Sequence, residues 1–159
     1  MATRHQVIPR TLCFVFFEDE ILLMKAGSNK KWEDLYNPLG GHVEKGESVI
    51  DSANREIKEE CGLDVKNTKL KGIIHSINFF GKDVMLFVTT SSTKTKEVVS
   101  NDEGTLHWVK KEQLDNLKTL EDIKPIMEKI FEVKPDEIFV GTTEYDGKDK
   151  LVSLDIKIS

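Results

Sequence analysis

The stretch from Gly41 to Leu63, GHVEKGESVIDSANREIKEECGL, carries six carboxylates, three of them at Glu56, Glu59 and Glu60. Its pattern predicts a helix over Ser48–Cys61. Ser48 is a good N-cap with Asp51 three positions on, a variant of the capping box. Val49, Ala53, Ile57 and Cys61 recur every four residues as an apolar stripe, and Gly62 stands where a left-handed C-cap belongs. On such a helix Glu56 neighbours both Glu59 and Glu60. Like charges at that spacing oppose the helix by ~0.2–0.5 kcal/mol per pair, so the cluster needs a reason to be there.

The stripe pins one face of the helix to a core, which leaves the three acids facing outward together. Hard oxygen donors gathered on one face suit Mg2+ or Mn2+, which keep several waters and complete their shell with substrate phosphates. A bound cation turns the repulsion into shared attraction. Arg55 can pair with Asp51 or Glu59 at four-residue spacing, or with Glu47 from the preceding turn, and so hold the array. Upstream, Asn37-Pro38-Leu39-Gly40-Gly41 is a turn whose consecutive glycines let backbone approach a ligand closely, and a carbonyl there is a further ligand candidate. Three glutamates alone would read as a solvated helix face; the whole segment argues for more.

The rest of the chain sets the frame. Its 159 residues suffice for one domain, 1–159, with a proper core. The 38% hydrophobic and 32% charged content is that of an ordinary soluble protein. A net charge of −5 argues against a general phosphate-backbone binder, so no nucleic-acid polymer is expected as partner. Small phosphorylated ligands held through a metal fit that charge. Cys13 and Cys61 make no disulfide framework and stand at no zinc-ligand spacing with the histidines, as expected of core thiols in a reducing cytosol. The apolar run TLCFVFF at residues 11–17 is too short for a signal core with cleavage site or for a membrane span. A cytoplasmic location without membrane partner follows as the expectation.

Thr11–Phe17 is continuously apolar, β-branched or aromatic, the pattern of a strand covered on both faces. A turn at Glu18-Asp19-Glu20 leads to a second strand, Ile21–Met24. Residues 26–38 are polar, with Gly27 and Asn29, and predict a loop punctuated by Trp32 and Tyr36. Leu70–Phe80 and Val84–Thr90 predict paired strands around Gly81-Lys82-Asp83. A short strand follows at Leu106–Val109 and a second helix at Glu121–Val133, where Pro125 is tolerable in the first turn. The tail predicts a hairpin turning near Asp146-Gly147. Strands and helices mix without regular alternation, which implies a mixed sheet sandwiched by helices.

Gly41, five residues, Glu47, seven residues and then Arg55-Glu56-Ile57-Lys58-Glu59-Glu60-Cys61-Gly62-Leu63 resembles the signature of the Nudix hydrolases at every specified position. The resemblance implies an α+β fold, the Nudix-type α/β/α sandwich with a central mixed β-sheet. It implies Mg2+- or Mn2+-assisted attack of water on a nucleoside diphosphate linkage. By matching positions, Glu56, Glu59 and Glu60 are implied metal ligands with the Gly40 carbonyl, and Glu47 braces Arg55. Glu103, in an acidic turn before Leu106–Val109, matches the place of an acidic ligand outside the signature; the general base stays open among Glu59, Glu60 and Glu103.

Beyond the signature the chain is similar to the MutT-type branch, whose members hydrolyse oxidised purine nucleoside triphosphates such as 8-oxo-dGTP to monophosphate and pyrophosphate. That similarity brings forward Asn37 and Glu121 or Asp122 as base readers, since an amide and a carboxyl together can donate and accept along a purine edge. The similarity includes Thr11 at the opening of the first strand, a substrate-side candidate. By position, Lys25 at a strand end is either a phosphate or sugar contact or a solvated lysine, Phe79 and Phe80 are either stacking rings or core, and His42 is either a phosphate contact or a turn histidine. His75 and His107 read as structural. Pro38, Tyr36 and Leu120 depart from the branch, standing for an expected glycine, tryptophan and tryptophan. The substrate is therefore open to another nucleoside diphosphate derivative, such as ADP-ribose, a dinucleoside polyphosphate or a capped RNA end. A non-catalytic nucleotide sensor is disfavoured by the intact acids. The state of association is left as monomer or homodimer.

Overall fold

A computed structural model describes residues 3–28 and 30–159 of the chain. Met1, Ala2 and Asn29, the last counted above in the loop after the second strand, lie outside the described residues. Among the described residues eight strands form one mixed sheet: β1 Ile8–Phe17, β2 Glu20–Ala26, β3 Tyr36–Asn37, β4 Lys69–Phe79, β5 Lys82–Ser92, β6 Gly104–Lys110, β7 Phe139–Tyr145 and β8 Leu151–Ile158. Their order is β3-β2-β1-β5-β4-β7-β8, with β6 also paired to β2. The β1–β5 and β4–β7 pairs are parallel and the others antiparallel.

Among the described residues two α-helices cover the sheet from opposite sides. The first, α1 (Val49–Cys61), starts at Ser48, whose side chain accepts from the Asp51 N–H, and ends at Gly62 in the left-handed region with φ 82°. Its Ala53, Ile57 and Cys61 join Cys13, Val15, Leu22 and Leu39 in one buried layer. On the other face α2 (Ile123–Glu132) buries Ile123, Ile126, Met127 and Ile130 against Phe14, Leu23, Ile74, Val88 and Phe139. Side chains alternate along β1, so Cys13 and Val15 serve one layer and Phe14 the other. That is why residues 11–17 carry no polar break. Among the described residues no helix is long and apolar enough to cross a membrane.

One irregularity in the sheet creates the functional surface. Strand β1 pairs with β2 only at Phe16–Ile21 and Phe17–Glu20. Further along, the strands part, and residues 36–43 fill the gap. Asn37 pairs with Met24 of β2. The Cys13 N–H then donates to the Leu39 carbonyl at 2.7 Å, the Thr11 N–H to the Gly41 carbonyl at 2.8 Å, and the Val43 N–H to the Pro9 carbonyl at 3.0 Å.

The expected loop over 26–38 therefore ends in strand, because its last residues find a partner in β2. A 3₁₀ turn at Lys111–Asn116 was not anticipated; only its Leu114 is buried, so it shows no periodic face. The tail hairpin turns after Asp146, whose side chain accepts from the Lys148 and Lys150 N–H groups.

Candidate active site

A cleft of about 630 Å³ opens where β1 and β2 part. It is lined by Glu56, Glu59 and Glu60 of α1 with Gly40, Gly41 and Glu103, and also by Asn37, Met24, Trp32, Phe79, Leu86, Leu120 and Asp122.

Helix α1 positions the acids through Arg55. Its guanidinium is bidentate to Glu47, with Nη2 donating to Oε1 at 2.6 Å and Nε to Oε2 at 3.0 Å. Nη1 donates to Glu56 at 3.0 Å and Glu59 at 3.2 Å, and Nη2 also to the His42 carbonyl at 3.1 Å. Paired forks of this kind fix direction as well as energy. Glu47 also accepts from the Glu44 N–H, and Arg55 with that bond holds its carboxyl down at about 2. Arg55 is in turn held above its ordinary value, chiefly by Glu47.

The double glycine lies directly against the acids. Gly40 adopts φ 147°, and a side chain there would strike the Thr11 carbonyl; one at Gly41 would strike the Glu56 carboxylate. Glycine is thus required at position 40 by the backbone, whereas a side chain at position 41 would push the Glu56 carboxylate from its place. The Gly40 N–H donates to Glu60 Oε2 at 3.3 Å. Burial pushes Glu60 up to about 8, the Gly40 N–H opposes this, and the nearby Glu56 and Glu103 add to the rise.

Could these residues hold a divalent cation? Among the described residues no three His, Cys, Asp or Glu side chains already close around one position. Arg55 draws Glu56 and Glu59 toward itself while Glu60 turns to Gly40. The donors nevertheless fit: they are all oxygen, they face one cleft, and Glu60 sits desolvated among like charges that a cation would neutralise. Glu59 is 59% exposed and Glu56 only 13%, so the set spans from the helix root to the open cleft.

Elsewhere in the lining of the cleft, polar atoms stand buried and unpartnered: Asn37 Oδ1, Asp122 Oδ1 and Trp32 Nε1. Asp122 is 3% exposed and precedes α2 without capping it. Burial pushes its carboxyl up to about 6. The Tyr145 hydroxyl faces it and helps to lower it, yet neither group reaches good hydrogen-bond geometry. Buried polar groups left open in this way call for a partner.

The structure sorts the remaining expectations. Asp122 lines the cleft, whereas Glu121 is exposed and does not, because the chain enters α2 with Asp122 turned inward. Lys25 also stays outside: alternation along β2 turns Met24 and Lys25 to opposite faces, and Lys25 lies 3.9 Å from Asp34 and over the Tyr36 ring. Thr11 lines the cleft, but its hydroxyl is engaged with the Gly41 backbone at 3.4 Å. Phe79 lines the cleft and Phe80 packs behind it against Trp32. His42 lines it, and its carbonyl holds Arg55. His107 bonds Thr105 outside it.

Arg10 and Trp32 were missed as cleft residues. Arg10 is lowered by burial against the opposing pull of Glu56 and Glu60. The available signal was an arginine heading an apolar strand and a tryptophan stranded in a polar loop.

Comparison with known proteins shows the family. The family model of the NUDIX domain matches residues 7–132. The chain is 30% identical over 148 residues to the uncharacterised Nudix hydrolase YvcI of Bacillus subtilis strain 168, covering 90% of each. It is 28% identical to the pig bis(5'-nucleosyl)-tetraphosphatase (asymmetrical), over 69% of this chain and 76% of that one. Among solved structures, a mutator MutT protein of Bacillus halodurans superposes with a TM-score of 0.81 at 29% identity, covering 95% and 98%. Enzymes of this kind generally use divalent metal ions. With its mixed sheet, its flanking helices and its acid-lined cleft, the chain belongs to the Nudix family and is a Nudix hydrolase of nucleotide derivatives.

Proposed function

We propose that the protein hydrolyses a purine nucleoside triphosphate, with 8-oxo-dGTP as the leading candidate, to the monophosphate and pyrophosphate. The observation that carries this reading is that Asn37 and Asp122, both lining the cleft, each leave a buried side-chain oxygen unpartnered. An ionised Asp122 accepts two N–H groups, as a guanine-type edge offers. A protonated one donates and accepts, as an adenine-type edge requires. The Asn37 amide reads the neighbouring exocyclic group, and Phe79 and Leu120 supply the flat apolar wall.

In the same cleft Glu56, Glu59, Glu60 and Glu103 with the Gly40 carbonyl would hold Mg2+ or Mn2+. That ion would supply Lewis acidity toward phosphate oxygens and a more acidic water. Arg55, anchored on Glu47, keeps Glu56 and Glu59 in place. One carboxylate of Glu59, Glu60 and Glu103 takes the proton of the attacking water. Arg10 brings positive charge to the phosphate side of the cleft.

A second reading, cleavage of a dinucleoside polyphosphate, is favoured by the likeness to the pig tetraphosphatase. A substrate panel with Mg2+ separates the two. Pyrophosphate release from 8-oxo-dGTP, at kcat/KM far above that for dGTP, supports the first. Turnover confined to diadenosine tetraphosphate supports the second, and turnover confined to ADP-ribose refutes both.

A further inference from the structure

Outside the cleft, His5 and His75 meet through their Nε2 atoms at 3.0 Å, with ring centroids 5.0 Å apart and planes inclined by 59°. His75 lies on β4, and His5 lies in the segment leading into β1. The other ring nitrogen of His5 faces Asp83 at 3.8 Å. Asp83 is itself fixed, accepting the Asn78 N–H at 2.9 Å.

A carboxylate beside Nδ1 favours the tautomer that keeps its proton there and leaves the Nε2 lone pair free. Two nitrogens bound to one tetrahedral centre at ~2.0–2.1 Å stand roughly 3.3 Å apart, so the observed separation is close to that of a chelating pair. We propose that His5 and His75 form a second metal site, for an imidazole-preferring transition-metal dication of the Zn2+, Ni2+ or Cu2+ class, with Asp83 orienting His5. Neutral imidazoles suit these ions and not Mg2+.

Met85 pairs with His75 across the β4–β5 ladder and shares its face, which places a thioether beside the site. Among the described residues no third His, Cys, Asp or Glu joins the pair, so water completes the shell and the ion is exchangeable. Bound there, it clips the segment ahead of β1 to β4.

Calorimetric titration of the tag-free protein with NiCl2, in excess Mg2+ that engages the carboxylates, tests the site. The expected result is one Ni2+ per chain, weakened at least about tenfold in His5→Asn and in His75→Asn, and by a smaller factor in Asp83→Asn, which removes only the orienting group. Circular dichroism shows whether each variant remains folded; His5 is 53% exposed and tolerates change. Glu59→Gln and Glu60→Gln should retain the site. No uptake by the wild type, unchanged affinity in the two histidine variants, or loss in the glutamate variants instead, would overturn the proposal.

Discussion

Replacing Asp122 with asparagine should make the protein more stable at neutral pH and worse at its task. Asp122 is 3% exposed, and burial raises its carboxyl from the ordinary 3.8 to about 6. The folded state therefore holds this proton more tightly than the unfolded chain. As pH rises from about 4 to about 6, the unfolded chain has already released it and the folded protein has not, so stability falls. The gap of 6 less 3.8, at about 1.4 kcal/mol per pH unit, amounts to about 3 kcal/mol. Against a total stability of ~5–15 kcal/mol, this is large enough to measure. Urea unfolding of wild type and Asp122→Asn at several pH values between 4 and 8 gives the comparison. The two proteins should differ least near pH 4, diverge up to about pH 6 and then run parallel, with Asp122→Asn the more stable. At the same time kcat/KM for the preferred purine substrate should drop. A stability difference independent of pH, or a variant less stable at pH 8, would refute the argument that Asp122 is buried without adequate partners.

Three further outcomes are expected. Ile57→Ala, which empties a fully buried place between α1 and the sheet, should lower unfolding free energy by ~2–5 kcal/mol in denaturant titration. Glu47 has its folded value held below the ordinary 4.5, at about 2. Its contribution is thus present above about pH 4.5 and lost as pH falls toward 2, and Glu47→Gln should flatten the acid limb of a stability profile over that window. Glu59→Gln and Glu60→Gln should each lower kcat by roughly a hundredfold or more while thermal melts stay cooperative, since under the proposed reading each removes a carboxylate that would hold the divalent cation; near-normal turnover in both would remove them from the chemistry.

Helix α1 was legible because everything that makes it is local. Ser48, the four-residue stripe and Gly62 lie within one short segment, and the acids inherit their common direction from that stripe. The tail hairpin was legible for the same reason, through Asp146 and its turn. Reading failed where one residue of phase decides the outcome. Met24 and Lys25 are adjacent, yet only Met24 reaches the cleft; Glu121 and Asp122 are adjacent, yet only Asp122 does. Such choices are made by the sheet and by the angle at which α2 enters, which no local pattern records. Arg10 and Trp32 stayed hidden because the walls they complete belong to segments far apart in sequence. Thr11 reaches the cleft, but its hydroxyl was committed in advance to the backbone of Gly41.

The parting of β1 from β2 carries one more consequence. Asn37 and Gly40 belong to the same inserted segment, pinned to β2 at Met24 on one side and to β1 at Cys13 and Thr11 on the other. Three residues of extended chain span at most ~10–11 Å. Under the proposed reading, that length is a ruler held at both ends. With the base lodged at Asn37, covalent geometry decides which phosphate anhydride arrives over Glu56 and Glu60, and lengthening the segment by one residue would move the cut.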